Sequence, residues 1–194
     1  THPYGLWKDS GVRMEGDAVQ SLTVMFLEMW NAIKKTDTDY APYFPEITYT
    51  ARQTGYVQPY ADNPLDDEHT GENVYMNVLN SAREYAYFIT PYLLISDEMK
   101  KAFTLAARRG VDVRIITPGI PDKKFVYQAT RSYYNRLVKK GVRIFEYTPG
   151  FCHAKQCVSD DKAAVVGTIN LDYRSLYHHF ENAAAFYHKD AVAG

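Results

Sequence analysis

An α/β fold with a mixed, largely parallel sheet flanked by helices is what this sequence predicts, on three observations. From Glu72 to Thr148, apolar helical periods alternate with short runs rich in Val, Ile, Tyr and Phe. The connections between them are short, as crossover units require. The last third then changes character, with strand-like runs joined by the polar turn Asp160-Asp161-Lys162, so the sheet is expected to end mixed.

Each element follows from its residues. Asp17 can cap a helix whose apolar positions Leu22, Met25, Phe26, Met29 and Ile33 recur at three- and four-residue steps, ending near the KKTDTD run. Packing against the sheet suits that helix better than lying on a membrane. The Pro-, Asn- and Asp-rich segment after it reads as loop, enclosing short strands around Ile47 to Thr50 and Gly55 to Gln58. A helix near Asn73 to Arg83, a strand at Tyr85 to Thr90, a helix from Ser96 to Arg109 and the strand VDVRIIT come next. A helix at about Lys123 to Lys140 and the strand Val142 to Thr148 lead into HAKQCVS, AAVVG and FENAAAFY, three further strands. The domain division expected is 1–45, a tail of a preceding unit, and 46–194, the main α/β domain.

Composition narrows the function classes. The 194 residues suffice for one ordinary domain, with 46% hydrophobic and 23% charged residues and a net charge of -1. There is no global basic footprint for nucleic acid, and polyanion binding would need a local patch. The longest apolar stretch, Leu22 to Trp30, falls far short of the ~20 residues that span a bilayer. Cys152 and Cys157 lack a partner pair at zinc spacing, so neither metal nor other cofactor is expected, and reduced thiols in a cytosolic compartment fit.

The chemistry concentrates in FCHAKQCVSDDKAAVVGTIN, Phe151 to Asn170. On a strand, His153 and Lys155 project to one side, and a hairpin at Asp160 returns Thr168 and Asn170 to their level. Such a set suits a phosphorus centre: lysine and asparagine hold non-bridging oxygens, a threonine hydroxyl donates, and histidine attacks or shuttles a proton. Asp160 has the opposite parity and sits at the turn, which favours a structural role, pinning the loop through backbone amides. His178 and His179 read as exposed or packed residues, and Cys157 as a small core filler.

The spacing His153-x-Lys155, Asp160, Gly167-Thr168-x-Asn170 resembles the HxKxxxxDxxxxxxG(S/T)xN signature of the phospholipase D superfamily. With LDYRS and FEN after it, the stretch looks like the second such motif of bacterial cardiolipin synthases. LWKDSGVRMEGDAVQSLTVMFLEMW is similar to the segment that follows their first motif, and ITPYLLISDEM to the opening of their second half.

The resemblance implies that His153, Lys155, Asp160, Asn170 and Glu181 form the catalytic set, with Lys155, Thr168 and Asn170 holding substrate phosphate. Glu181 would orient the histidine. It implies phosphatidyl transfer between two phosphatidylglycerol molecules through a phosphohistidine, with His153 as one of a histidine pair. Phospholipid, a membrane surface on the cytoplasmic side and a first catalytic half of the same polypeptide are the implied partners, with nucleic acid not among them. Because this chain has one such motif, a soluble, inactive half is expected, the alternative being a homodimeric phosphodiesterase or nuclease.

Overall fold

In the computed structural model, which describes residues 3–34, 39–51 and 54–192, the elements alternate as the periodicity predicts from Thr70 onward. Helix α1 covers Ala18–Lys34, and residues 35–38 of the KKTDTD run lie outside the described residues. Residues 47–50 form no strand, and a 3-10 turn at Ala41–Tyr43 is the only regular element described between α1 and β1 (Tyr56–Asp62). That apolar-aromatic run at 47–50 lies outside the sheet, a difference that strand propensity alone does not reveal.

The crossover region comprises α2 (Thr70–Ser81), β2 (Tyr85–Ile89), the two-residue β3 (Leu93–Leu94), α3 (Asp97–Arg108), β4 (Asp112–Pro118), α4 (Lys124–Val138) and β5 (Arg143–Tyr147). Ser96 caps α3 as an acceptor from the Met99 amide, 2.9 Å away. The chain finishes with β6 (Gln156–Ser159), β7 (Ala163–Gly167), β8 (Leu171–Asp172), α5 (Tyr173–Tyr177), β9 (Glu181–Tyr187) and α6 (Lys189–Val192).

The main sheet runs β1-β9-β7-β6-β2-β4-β5, and β3 pairs β8 in a second, two-stranded sheet. The sheet is mixed, but only β2-β4 and β4-β5 are parallel, whereas the other four pairings are antiparallel. The balance tips away from the parallel expectation because only two helical crossovers, α3 and α4, join strands of the main sheet side by side. One face of the sheet carries Ala86, Phe88, Val113, Ile115, Cys157 and Val165, all sealed beneath the helices. Phe88 meets Tyr75 of α2 and Phe103 of α3 edge-on at centroid distances of 5.9 and 5.0 Å. On the opposite face, α1 packs against β1, while Arg114 lies over Tyr87 and Phe145 is half exposed.

Two placements set up the site. Ile89 pairs with Gln156, so the residues leading into β6 sit at the end of the sheet where the parallel strands finish. Asp160 and Asp161 both have positive φ in the three-residue turn that joins β6 to β7, closed by Lys162 N–H donating to Ser159 O at 2.9 Å, and that turn lies at the far end of β6. Gly167 is required by close approach: a Cβ there would come within 2.4 Å of the Ala183 Cβ on β9.

Candidate active site

His153, Ala154 and Lys155 are extended but precede β6, which begins at Gln156. Their backbone is held by the N-terminal segment, which runs along residues 149–153. Leu6 N–H donates to Pro149 O at 2.9 Å, Phe151 N–H to Tyr4 O at 2.8 Å and His153 N–H to Lys8 O at 2.7 Å. Gly150 permits this, since a Cβ there would meet the Leu6 carbonyl oxygen at 2.3 Å. Trp7 packs on Phe151 and on the His153 ring, at 4.8 and 5.4 Å between centroids.

The imidazole is thereby fixed at both nitrogens. Lys155 Nζ donates to His153 Nε2 at 2.8 Å, and Nδ1 donates to Asp9 Oδ2 at 3.0 Å. An ammonium has only donors, so Nε2 must carry the lone pair and Nδ1 the hydrogen. Lys155 is buried, and that burial lowers its pKa, with Asp9 and Glu181 as nearby charges pulling the other way. Burial raises the Asp9 carboxyl, but hydrogen bonds from His153 and the Ser10 amide and the charges of His153 and Lys155 outweigh it, so its pKa is lowered.

The hairpin brings the second part of the motif alongside. Gly167 N–H donates to Lys155 O at 3.2 Å. Thr168 bonds through its hydroxyl to Glu181, and Asn182 N–H donates back to that hydroxyl at 3.0 Å. Asn170 Nδ2 donates to Ser175 Oγ at 2.8 Å, while its Oδ1 is buried without a described partner. Next to these, Asp62, the register partner of Glu181, accepts from Gly71 N–H at 2.7 Å through Oδ1 and leaves Oδ2 buried and unpartnered. Burial pushes the Asp62 carboxyl up to about 6, against the opposing pull of the Gly71 amide and His69.

Two expectations change. Asp160 is not with the others: it accepts from the amides of Arg83, Glu84 and Tyr85 at 2.8, 3.0 and 2.8 Å, at the opposite end of β6. Its place is architectural, and the amides it holds belong to the entry of β2 instead of its own turn. Its carboxyl is raised by burial but lowered further by those three donors, for a net decrease in pKa. Glu181 bonds Thr168 and lies 3.4 Å from His179 Nδ1, and the carboxylate on His153 is Asp9. Asp9, 144 residues from His153, and its near neighbour Trp7 are not legible in the sequence because nothing local ties them to that histidine.

Cys157 is fully buried in the core and Cys152 is buried beside the motif, both as free thiols. Burial raises both thiols, which disfavours a thiolate nucleophile. Among the described residues, no three His, Cys, Asp or Glu side chains converge in a way that would hold a metal ion.

Residues 75–194 match the model of the family described as cardiolipin synthase, phospholipase D-like domain. A Streptococcus mutans protein of uncharacterised function is 53% identical over 97% of this chain and 41% of its own length. Cardiolipin synthase 2 of Bacillus anthracis is 35% identical over 97% of this chain and 37% of its own length. The chain thus spans about two fifths of the curated relatives it matches. Among solved structures, the phospholipase D family member Nuc from Salmonella typhimurium superposes with a TM-score of 0.57 at 20% identity, over 72% of this chain and 88% of that one, a likeness of fold.

Proposed function

The chain belongs to the phospholipase D-like domain family of cardiolipin synthases, and from that premise we propose that it supplies one catalytic half of a phosphatidyltransferase acting on phosphatidylglycerol. The observation that carries this reading is the buried Lys155 ammonium seated on His153 Nε2. A cation kept out of water beside an imidazole lone pair is a ready site for a phosphodiester.

Arrival of the anion gives Lys155 a better acceptor than Nε2. The ammonium moves to a non-bridging oxygen, and the imidazole lone pair becomes available. One histidine of a pair then attacks phosphorus: the P–N bond forms, the P–O bond to glycerol breaks, and the other histidine protonates the departing alkoxide. A hydroxyl of a second phosphatidylglycerol, deprotonated by that same base, attacks phosphorus and expels the first imidazole. Cardiolipin and glycerol are the products, and no oxidant or cofactor enters.

His153 serves this scheme as nucleophile or as acid and base. The second histidine comes from an equivalent unit, placed by this reading elsewhere in the same polypeptide, and the half is inactive alone. Asp9 holds the Nδ1 proton and supports the imidazolium. Thr168 and Asn170 line the approach, and a flip of the Asn170 amide, which exchanges the Nδ2–Ser175 Oγ bond for one from the Ser175 hydroxyl to Oδ1, turns its NH2 to phosphate.

The test is conversion of phosphatidylglycerol by the intact protein. Cardiolipin and glycerol should appear in equal amounts, and His153→Ala should abolish both while leaving the melting temperature nearly unchanged. A variant keeping a tenth of wild-type turnover contradicts the assignment. Accumulation of phosphatidic acid or cleaved DNA in place of cardiolipin would favour the homodimeric hydrolase.

A further inference from the structure

The chain's near-neutral net charge conceals a strong polarity. Residues 100–143 contain twelve Lys and Arg against two Asp and no Glu, which leaves ten bases against twenty-one acids in the rest of the molecule. These residues run from α3 through β4 and α4 into β5, and the two helices cover the same face of the sheet. Lys100 Nζ lies 5.4 Å from the Tyr133 ring centroid, and a Cβ at Gly141 would be 3.5 Å from the Ala107 Cβ, so α3 and α4 lie side by side. Their exposed stripes both point away from the sheet.

Few of those cations are neutralised. Lys100 pairs with Asp97, Arg114 and Arg143 with Asp112, and Arg131 with Glu146. Lys101, Arg108, Lys124, Lys139 and Lys140 form no ion pair among the described residues, and Arg136 acts on Asp97 only through its charge at a distance. Helix α4 contains no acidic residue at all. Set among these cations are apolar side chains open to solvent: Phe125 is 82% exposed, Val138 52% and Leu105 43%.

We propose that the outer surface of α3 and α4 is a docking face for an anionic phospholipid bilayer. Charge complementarity selects a polyanion, and the interspersed Phe125, Leu105 and Val138 select one with an apolar interior over a nucleic acid. Two helices side by side match a broad surface better than a strand of phosphates, which is tracked by a groove. The location also fits. Lys123, over the Tyr92 ring at 5.7 Å, and Phe125 begin α4 beyond the end of β4, the same end of the sheet at which His153 and Lys155 stand. The face therefore reaches the edge from which a headgroup would enter.

This inference takes its ligand from the lipid reading of the site, yet its readout is binding, so either can fail without the other. Vesicles of phosphatidylcholine, with and without phosphatidylglycerol, are sedimented with the chain. Binding is expected to the anionic vesicles alone and to weaken with added salt. Each lost cation should weaken it about fivefold, so a variant combining K101Q, R108Q, R136Q and K139Q should lose at least a hundredfold. A control carrying R13Q, K34Q and K162Q should bind as wild type. Phe125→Ser tests the apolar component without changing charge and should weaken binding severalfold. Equal binding to neutral vesicles, an unaffected quadruple variant, absence of vesicle binding by the wild type, or tighter binding to DNA than to anionic vesicles would each overturn the proposal.

Discussion

Strand β6 is only four residues long, and its two ends are built on opposite principles. At the far end, the Asp160 carboxylate collects three backbone amides from Arg83, Glu84 and Tyr85, and its neighbour Asp161 bonds the Tyr85 hydroxyl, so the charge is fully used. At the near end, a buried ammonium rests on an imidazole lone pair, and Asn170 Oδ1 and Asp62 Oδ2 stay buried without partners. A satisfied carboxylate pins strands together. The near end differs in what it can still offer: its unpartnered oxygens are acceptors, and the buried Lys155 ammonium, held among the described residues only by His153, is the donor that an arriving anion could take.

The largest effect on stability belongs to the satisfied end. Asp160→Ala strands three amides at the entry of β2 and should cost about 3 kcal/mol in chemical denaturation, with turnover per folded molecule of the intact protein unchanged. A drop in specific turnover comparable to that of His153→Ala would return Asp160 to the chemistry.

The next effect is a pH dependence at the other end. Asp62 has a folded pKa raised to about 6 from 3.8, so its protonated form is favoured in the folded state, and stability is lost as pH rises from about 4 through 6. Asp62→Asn keeps the acceptor for Gly71 and cannot ionise. Between pH 4 and pH 7 the difference in unfolding free energy should therefore move in the variant's favour by roughly 2 kcal/mol. A difference that stays flat would mean that Asp62 is solvated as a carboxylate.

The smallest expected change concerns the carboxylate on His153. Asp9→Asn should lower turnover of the intact protein about tenfold while leaving stability within about 0.5 kcal/mol, since the side chain is half exposed. Glu181→Gln should cost less. The reverse order would restore the Glu181–histidine pairing expected from sequence.

What was legible follows physical range. Helices and strands from Thr70 onward declare themselves through local periodicity, and the three-residue turn at Asp160 through its residue types. His153 and Lys155 are two residues apart on extended chain, so their pairing needed no knowledge of the fold. The return of Gly167 beside Lys155 needed only the hairpin. The share of antiparallel pairing in the mixed sheet is not legible, because β1 joins it through a pairing with β9 that is remote in sequence, which periodicity does not encode. Asp9 was invisible for the same reason: its contact depends on the strand-like docking of residues 4–9, licensed by the absence of a Cβ at Gly150. The basic face stayed hidden in a whole-chain charge of -1.

The most direct measurement is turnover of phosphatidylglycerol by the intact protein carrying Lys155→Met, normalised to folded protein and set against Asp160→Ala treated likewise. Loss of the buried ammonium should reduce turnover at least a hundredfold with the fold retained, while Asp160→Ala changes only the folded fraction. Lys155→Met retaining more than a tenth of wild-type turnover would contradict the claim that this cation and its histidine make the phosphate site.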